Sequence, residues 1–155
     1  MVKIAEGLPI GQKWTSVGRT IGEGDFTLLT NLTWTTVRIH SDKEYMKSTQ
    51  FGDRILAGVC VLAVAMGLVS RSTEFDTMLT RNNVRIVAVL GFESVQFKAP
   101  VFPWDTLTVE TELLEARPTN KTNRGVMCFK DVARKQTGEV VMESVRSILF
   151  EKEPK

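Results

Sequence analysis

His40 is the one histidine in this 155-residue chain. An imidazole is the side chain best suited to take up and release a proton near neutral pH. It follows a hydroxyl-rich stretch, Thr33-Trp34-Thr35-Thr36, and is followed by Ser41-Asp42. Thr35 can hydrogen-bond a water or a substrate oxygen, but it cannot act as a base at neutral pH. Asp25, Asp42 and Glu44 are the nearest spare carboxylates in sequence. A lone histidine also serves as a structural or surface residue, and both roles stay open at this point. Gly58, near the start of an apolar run, is either a packing glycine or a place where a ligand comes close to the backbone. Unpaired N–H groups at a helix start favour developing negative charge, which makes the Gly58 amide the second candidate group. The chain has two cysteines, Cys60 and Cys128, far apart and in no C-x-x-C pattern. With one histidine they make no standard zinc site, so no metal is expected. Cys60 reads as a small buried hydrophobe.

The elements that must position these groups follow from periodicity. Residues 1–13 form an irregular lead-in, and Lys13 to Ile21 is a first strand. Asp25 is a plausible N-cap for a helix from Phe26 to about Thr33. Thr33 to Thr36 suits a turn, and Asp42 to Met46 a short capped helix. From Asp53 or Arg54 to about Ser70 apolar residues face every direction, so the spacing predicts a helix surrounded by protein. Ala57, Gly58, Cys60, Ala63 and Gly67 would let other backbone approach it closely. After Ser70 the pattern turns to strands. Val84 to Phe97 alternates with a phase shift near Gly91, which suggests a bulge. Thr106 to Ala116, Gly125 to Ala133 and Glu139 to Phe150 complete a four-strand meander, the last two joined by a hairpin-like Arg134–Gly138. Trp34 and Trp104 suit core or interface positions. The economical packing is class α+β: an antiparallel sheet wrapped around one buried helix.

The length fits a single domain over residues 1–155, with its core in about 10–150. A net charge of +2 arises from 20 basic and 18 acidic residues mixed along the chain. No basic stripe with interleaved aromatics appears, which argues against a nucleic-acid partner. The apolar run Ile55–Val69 is short for a membrane span, and the N-terminus lacks the apolar core of a secretory signal. No membrane association and a cytoplasmic location are therefore expected.

Three ordered segments resemble the MaoC-like acyl-CoA hydratase/dehydratase family. They are Val17-Gly18-Arg19-Thr20-Ile21 with Asp25, then Ile39-His40-Ser41-Asp42 running to Gly52-Asp53-Arg54-Ile55-Leu56-Ala57-Gly58, then Phe97-Lys98-Ala99-Pro100-Val101 with Trp104-Asp105-Thr106-Leu107. The resemblance covers about residues 10–150. It implies a hot-dog fold, assembled as a homodimer or higher homo-oligomer with the active site near the interface. It also implies reversible hydration of a 2-enoyl-CoA, a lyase reaction of fatty acid metabolism, with no cofactor beyond the coenzyme A of the acyl-CoA substrate. His40 would be the acid/base and the Gly58 amide the oxyanion donor.

The family's catalytic loop reads Asp-x-Asn-Pro-x-His-x-Asp. His40 and Asp42 match it, whereas Thr35 stands at the leading Asp, Val37 at the Asn and Arg38 at the Pro. Thr35 would then orient the nucleophile, and Asp42 would support the loop. Arg38 either contacts the phosphates of coenzyme A or is a solvated loop arginine. Ala57, just before the helix-start glycine, would sit at the substrate. Two alternatives follow: an acyl-CoA thioesterase, which the absence of a carboxylate on the central helix disfavours, and a non-catalytic acyl-CoA-binding hot-dog subunit.

Overall fold

The computed structural model describes residues 6–152. The chain begins with two short strands, β1 (Lys13–Thr15) and β2 (Arg19–Thr20), where the sequence predicts one continuous strand. Both pair with the same later strand. Gly18 lies between them, where an added Cβ would come within 3.3 Å of the Thr106 methyl. Helix α1 (Glu23–Leu32) starts earlier than expected. Asp25 is not its cap but lies within its first turn, where a carboxylate oxygen accepts the Gly22 N–H at 3.2 Å. Two one-turn helices follow, α2 (Arg38–Ser41) and α3 (Lys43–Met46). Asp42 caps the second as expected, accepting the Tyr45 N–H at 2.9 Å.

The central helix α4 (Gly58–Val69) begins four residues later than its apolar pattern suggests. The backbone of its lead-in is tied sideways instead. The Ile55 N–H donates to the Ile39 carbonyl at 3.2 Å and the Leu56 N–H to the Val101 carbonyl at 2.8 Å. An N–H committed laterally cannot also close a helical turn. Nor is α4 covered on every side: Val59, Ala63 and Gly67 form an exposed stripe, Val59 being 51% exposed.

A further helix, α5 (Thr73–Arg81), lies where the sequence suggested none. Ser72 caps it, its hydroxyl accepting the Phe75 N–H at 3.3 Å. Phe75 and Met78 supply its buried side.

Four long strands complete the fold: β3 (Val84–Phe97), β4 (Thr106–Pro118), β5 (Arg124–Lys135) and β6 (Val140–Lys152). The antiparallel sheet runs β1-β4-β5-β6-β3, with β2 also on β4. Only β4, β5 and β6 form a meander; β3 pairs with β6 at the far edge and not with β4. The expected four-strand meander fails because residues 98–105 do not make a hairpin. They cross the mouth of the sheet, held by the Leu56–Val101 bond, by Trp104 N–H to the Ile21 carbonyl (2.7 Å) and by Ile21 N–H to the Asp105 carbonyl (2.8 Å). The shift near Gly91 is present, one of three register breaks in β3.

A polar row divides the core. Thr111, Asp131 and Ser144 are cross-strand neighbours on one face, with Arg146 beside them. Arg146 Nε donates to Asp131 at 2.5 Å and the Thr111 hydroxyl donates to the same carboxylate at 2.7 Å. On one side of this row Val109, Ala133 and Met142 pack with α4. On the other, Leu113, Phe129 and Ile148 pack with Trp14 and Phe75. Trp34 and Trp104, expected in a core or interface, are 88% and 67% exposed, each with left-handed backbone (φ 56° and 74°).

Candidate active site

His40 sits on α2, half-buried, and two links fix that short helix to the lead-in of α4. The first is the Ile55 N–H to Ile39 carbonyl bond. The second joins His40 Nδ1 to the Ile55 carbonyl at 2.6 Å. A carbonyl can only accept, so Nδ1 carries the proton in this bond. In the neutral ring Nε2 is then the nitrogen with a free lone pair, which is the form a general base needs.

The late start of α4 matters here. The Ala57 carbonyl accepts the Cys60 and Val61 N–H groups at 2.9 and 3.0 Å. Gly58 therefore occupies the first helical position, and its own N–H has no intrahelical acceptor. His40 and Gly58 line one hollow of about 340 Å³, walled by Phe51, Val61, Phe97 and Pro100. The Phe97 ring lies so close that a Cβ added at Gly58 would fall 2.5 Å from it. Glycine thus permits the near approach of an aromatic wall, and it adds no side chain over the helix-end amide.

The structure brings His40 and Gly58 together and leaves the other sequence candidates aside. The Thr35 hydroxyl bonds the Thr33 hydroxyl at 2.8 Å, and Thr33 donates to the Leu29 carbonyl and lies 3.4 Å from Cys60 Sγ. This places Thr35 on the α1–α4 contact, and it does not line the hollow. Arg38 turns back on its own loop, pairing with Asp42 at 3.0 Å and lying over the Tyr45 ring at 4.1 Å. Asp42 is engaged by the Tyr45 N–H and by Arg38, which hold its carboxyl below the usual aspartate range. Ala57 is buried in the core next to the site, capping α4 without lining the hollow.

Among the contributors not singled out as site residues are Phe51, Val61, Phe97 and Pro100. Phe97 and Pro100 belong to a segment that carried the family resemblance. Nothing in their spacing says that the stretch after β3 closes over the start of α4.

Similarity to known proteins identifies the domain. The sequence profile of the MaoC-like domain matches residues 7–133. The chain belongs to the MaoC-like domain family. It is 28% identical over 134 residues to the beta-methylmalyl-CoA dehydratase of Chloroflexus aurantiacus, covering 86% of this chain and 36% of that one. The chain thus spans about a third of that curated relative. Among solved structures, a monoamine oxidase regulatory protein from Archaeoglobus superposes with a TM-score of 0.82 at 30% identity, over 97% of this chain and 95% of the other. The R-hydratase PhaJ1 of Pseudomonas aeruginosa superposes at 0.66 with 25% identity, over 97% and 87%. The architecture of this MaoC-like domain is the hot-dog fold. Among the described residues no single helix is long and apolar enough to cross a membrane.

Proposed function

We propose that this MaoC-like domain catalyses reversible hydration of a 2-enoyl-CoA thioester, equivalently dehydration of a 3-hydroxyacyl-CoA. The observation that carries this is the shared hollow of His40 and Gly58, with Nδ1 of the imidazole committed to a carbonyl. In the dehydration direction Nε2 takes the proton from the α-carbon. The thioester oxygen gains negative charge and accepts a hydrogen bond from the Gly58 N–H, aided by the positive end of α4. The imidazolium then gives its proton to the departing hydroxyl, which leaves as water. Every proton is accounted for with no cofactor beyond the coenzyme A of the substrate. The hydratase and dehydratase names of the relatives support the same class.

The active species is proposed to be a homodimer. Strand β3 is fourteen residues long and paired on one side only, and it exposes Val87 and Leu90 by 41% and 55%. Such an edge accepts another strand. A second copy would also cover the apolar stripe of α4.

The test is to follow loss of conjugated-thioester absorbance on a panel of 2-enoyl-CoA esters. Wild-type turnover that falls about 10²–10⁴-fold in His40→Ala, with the circular dichroism spectrum retained, supports the reaction. Equal rates in both proteins remove His40 from the mechanism. Release of free thiol from acyl-CoA would indicate a thioesterase instead. Binding of acyl-CoA by calorimetry without turnover would indicate a carrier or subunit role.

A further inference from the structure

The His40 ring takes its orientation from the Ile55 carbonyl, and residues 52–57 around that carbonyl belong to no helix or strand. No ladder fixes their peptide planes, so each is held by separate ties. The Ile55 N–H goes to Ile39 and the Leu56 N–H to Val101. The Arg54 N–H donates to the neighbouring Asp53 carboxylate at 2.7 Å, a bond that stays within the segment. The Arg54 side chain makes a longer tie. It reaches the first residue of α1, where Nη2 donates to both carboxylate oxygens of Glu23 at 2.8 and 2.9 Å. On the way it lies over the Phe26 ring at 5.2 Å. That end of α1 is itself pinned. Ile21, two residues before Glu23, exchanges backbone hydrogen bonds with Trp104 and Asp105 of the crossing that also supplies the Val101 carbonyl. Glu23 is thus a fixed post for the lead-in of α4.

As a device for stability alone the pair is a poor choice. The Arg54 side chain is 12% exposed, and its Nε is buried without an acceptor, the Asp53 carboxylate being 3.9 Å away. A buried donor left unmet costs free energy, and an apolar side chain would cover Phe26 without that cost. What the guanidinium adds is direction, since a donor reaching both oxygens of one carboxylate fixes where the backbone behind it lies. Neither Glu23 nor Arg54 lines the hollow of His40 and Gly58, so their effect on that site passes through the backbone.

We infer that Arg54, held by Glu23, is a positioning residue for His40. It sets the Ile55 carbonyl, which keeps the proton of the neutral ring on Nδ1 and leaves Nε2 free as the base. The inference rests on the reading of His40 as the acid/base group.

Because His40 is the one histidine, nitrogen NMR on the isotope-labelled full chain reads its ring without ambiguity. At alkaline pH, where the ring is neutral, the wild type shows two well-separated signals with the proton on Nδ1. Arg54→Met keeps an apolar cover on Phe26 and leaves Glu23, already 48% exposed, in water. The fold should therefore persist, with Tm within about 5 °C of the wild type. In this variant the proton spreads to Nε2, the tautomer an unconstrained imidazole favours, and the two signals move together. On 2-enoyl-CoA its kcat falls by up to about 10²-fold while KM stays within about twofold. Glu23→Gln moves both readings in the same direction. Arg54→Lys, which keeps the charge without the planar donor, recovers part of them. A tautomer unchanged in Arg54→Met and Glu23→Gln overturns the inference, as does a shift that appears only where the melting curve shows the fold lost. If the wild type turns over no enoyl ester, the proposed reaction is the part that fails, and the nitrogen signals still decide the positioning role. Turnover with kcat and tautomer equal in all variants keeps the reaction and removes Arg54 from it.

Discussion

Two glycines in this protein each lie where a phenylalanine ring occupies the space of a Cβ, and they do different work. At Gly125 on β5 an added Cβ would come within 2.6 Å of the Phe150 ring and 2.9 Å of the Arg117 carbonyl oxygen. Phe150 is 0% exposed, packed with Phe129 and Ile148 in the core, so neither neighbour can move aside. At Gly58 the neighbour is Phe97, which is 50% exposed and has open space on its far side. The same steric fact is therefore a condition of folding in the sheet and a condition of access at the helix end. A close contact marks a site only where one partner borders a hollow.

The sharpest way to test how rigid the sheet side is lies six residues along β5 from Gly125, in the polar row. Asp131→Ala leaves Arg146 charged, buried and unpaired, and is expected to cost about 3–5 kcal/mol of stability. Denaturant unfolding measures it. Adding Arg146→Met should recover most of that loss, because a pair replaced together leaves no orphaned charge. A double variant as unstable as the single one would show that the row does more than satisfy itself. Gly125→Ala comes next, at about 1–3 kcal/mol from overpacking against Phe150.

Gly58→Ala reverses the weighting. Phe97 can rotate outward, so the stability loss should stay below about 1 kcal/mol. The new methyl intrudes on the hollow and the displaced ring no longer walls it, and a misplacement near 1 Å can lower kcat/KM by up to about 10²-fold. Enoyl-CoA turnover beside a melting curve separates the two effects. If Gly58→Ala unfolds the protein as readily as Gly125→Ala, the contrast between the glycines is lost.

Much of the fold was legible because it depends on local pattern. The alternation of β4 and β6 and the all-round apolar character of α4 announce a sheet around a helix. What escaped was set by long-range contacts. The N-terminus of α4 could not be placed from its own residues, because the backbone of Ile55 and Leu56 is claimed by Ile39 and by Val101, the latter nearly fifty residues away. The position of β3 was hidden for the same reason: a connection with two prolines looks like a turn until its partners across the sheet are known. Helix α5 carries Ser72 at its cap and Phe75, Met78 and Leu79 at helical spacing, a signal that was present but brief. For the site, His40 and Gly58 were named from chemistry and resemblance. Thr35 was aligned to a loop position, but its hydroxyl is taken by Thr33.

The smallest expected effect sharpens the sheet side through pH. Glu151 follows Phe150 on β6 and pairs with Arg85 of β3 at 2.5 Å and with Arg124, beside Gly125 on β5, at 2.5 Å. Arg85 first, then Arg124, hold its carboxyl below the ordinary value of 4.5. A carboxylate with a lowered folded pKa contributes stability above the unfolded value, and that stability is lost as pH falls through the folded one. Glu151→Gln should therefore lower Tm at neutral pH, and the gap to the wild type should close on acidification. A gap that stays constant down to low pH would mean that the side chain acts by packing beside Phe150 rather than by charge. The clasp of three strands next to Gly125 would then be steric throughout, like the glycine contact it adjoins.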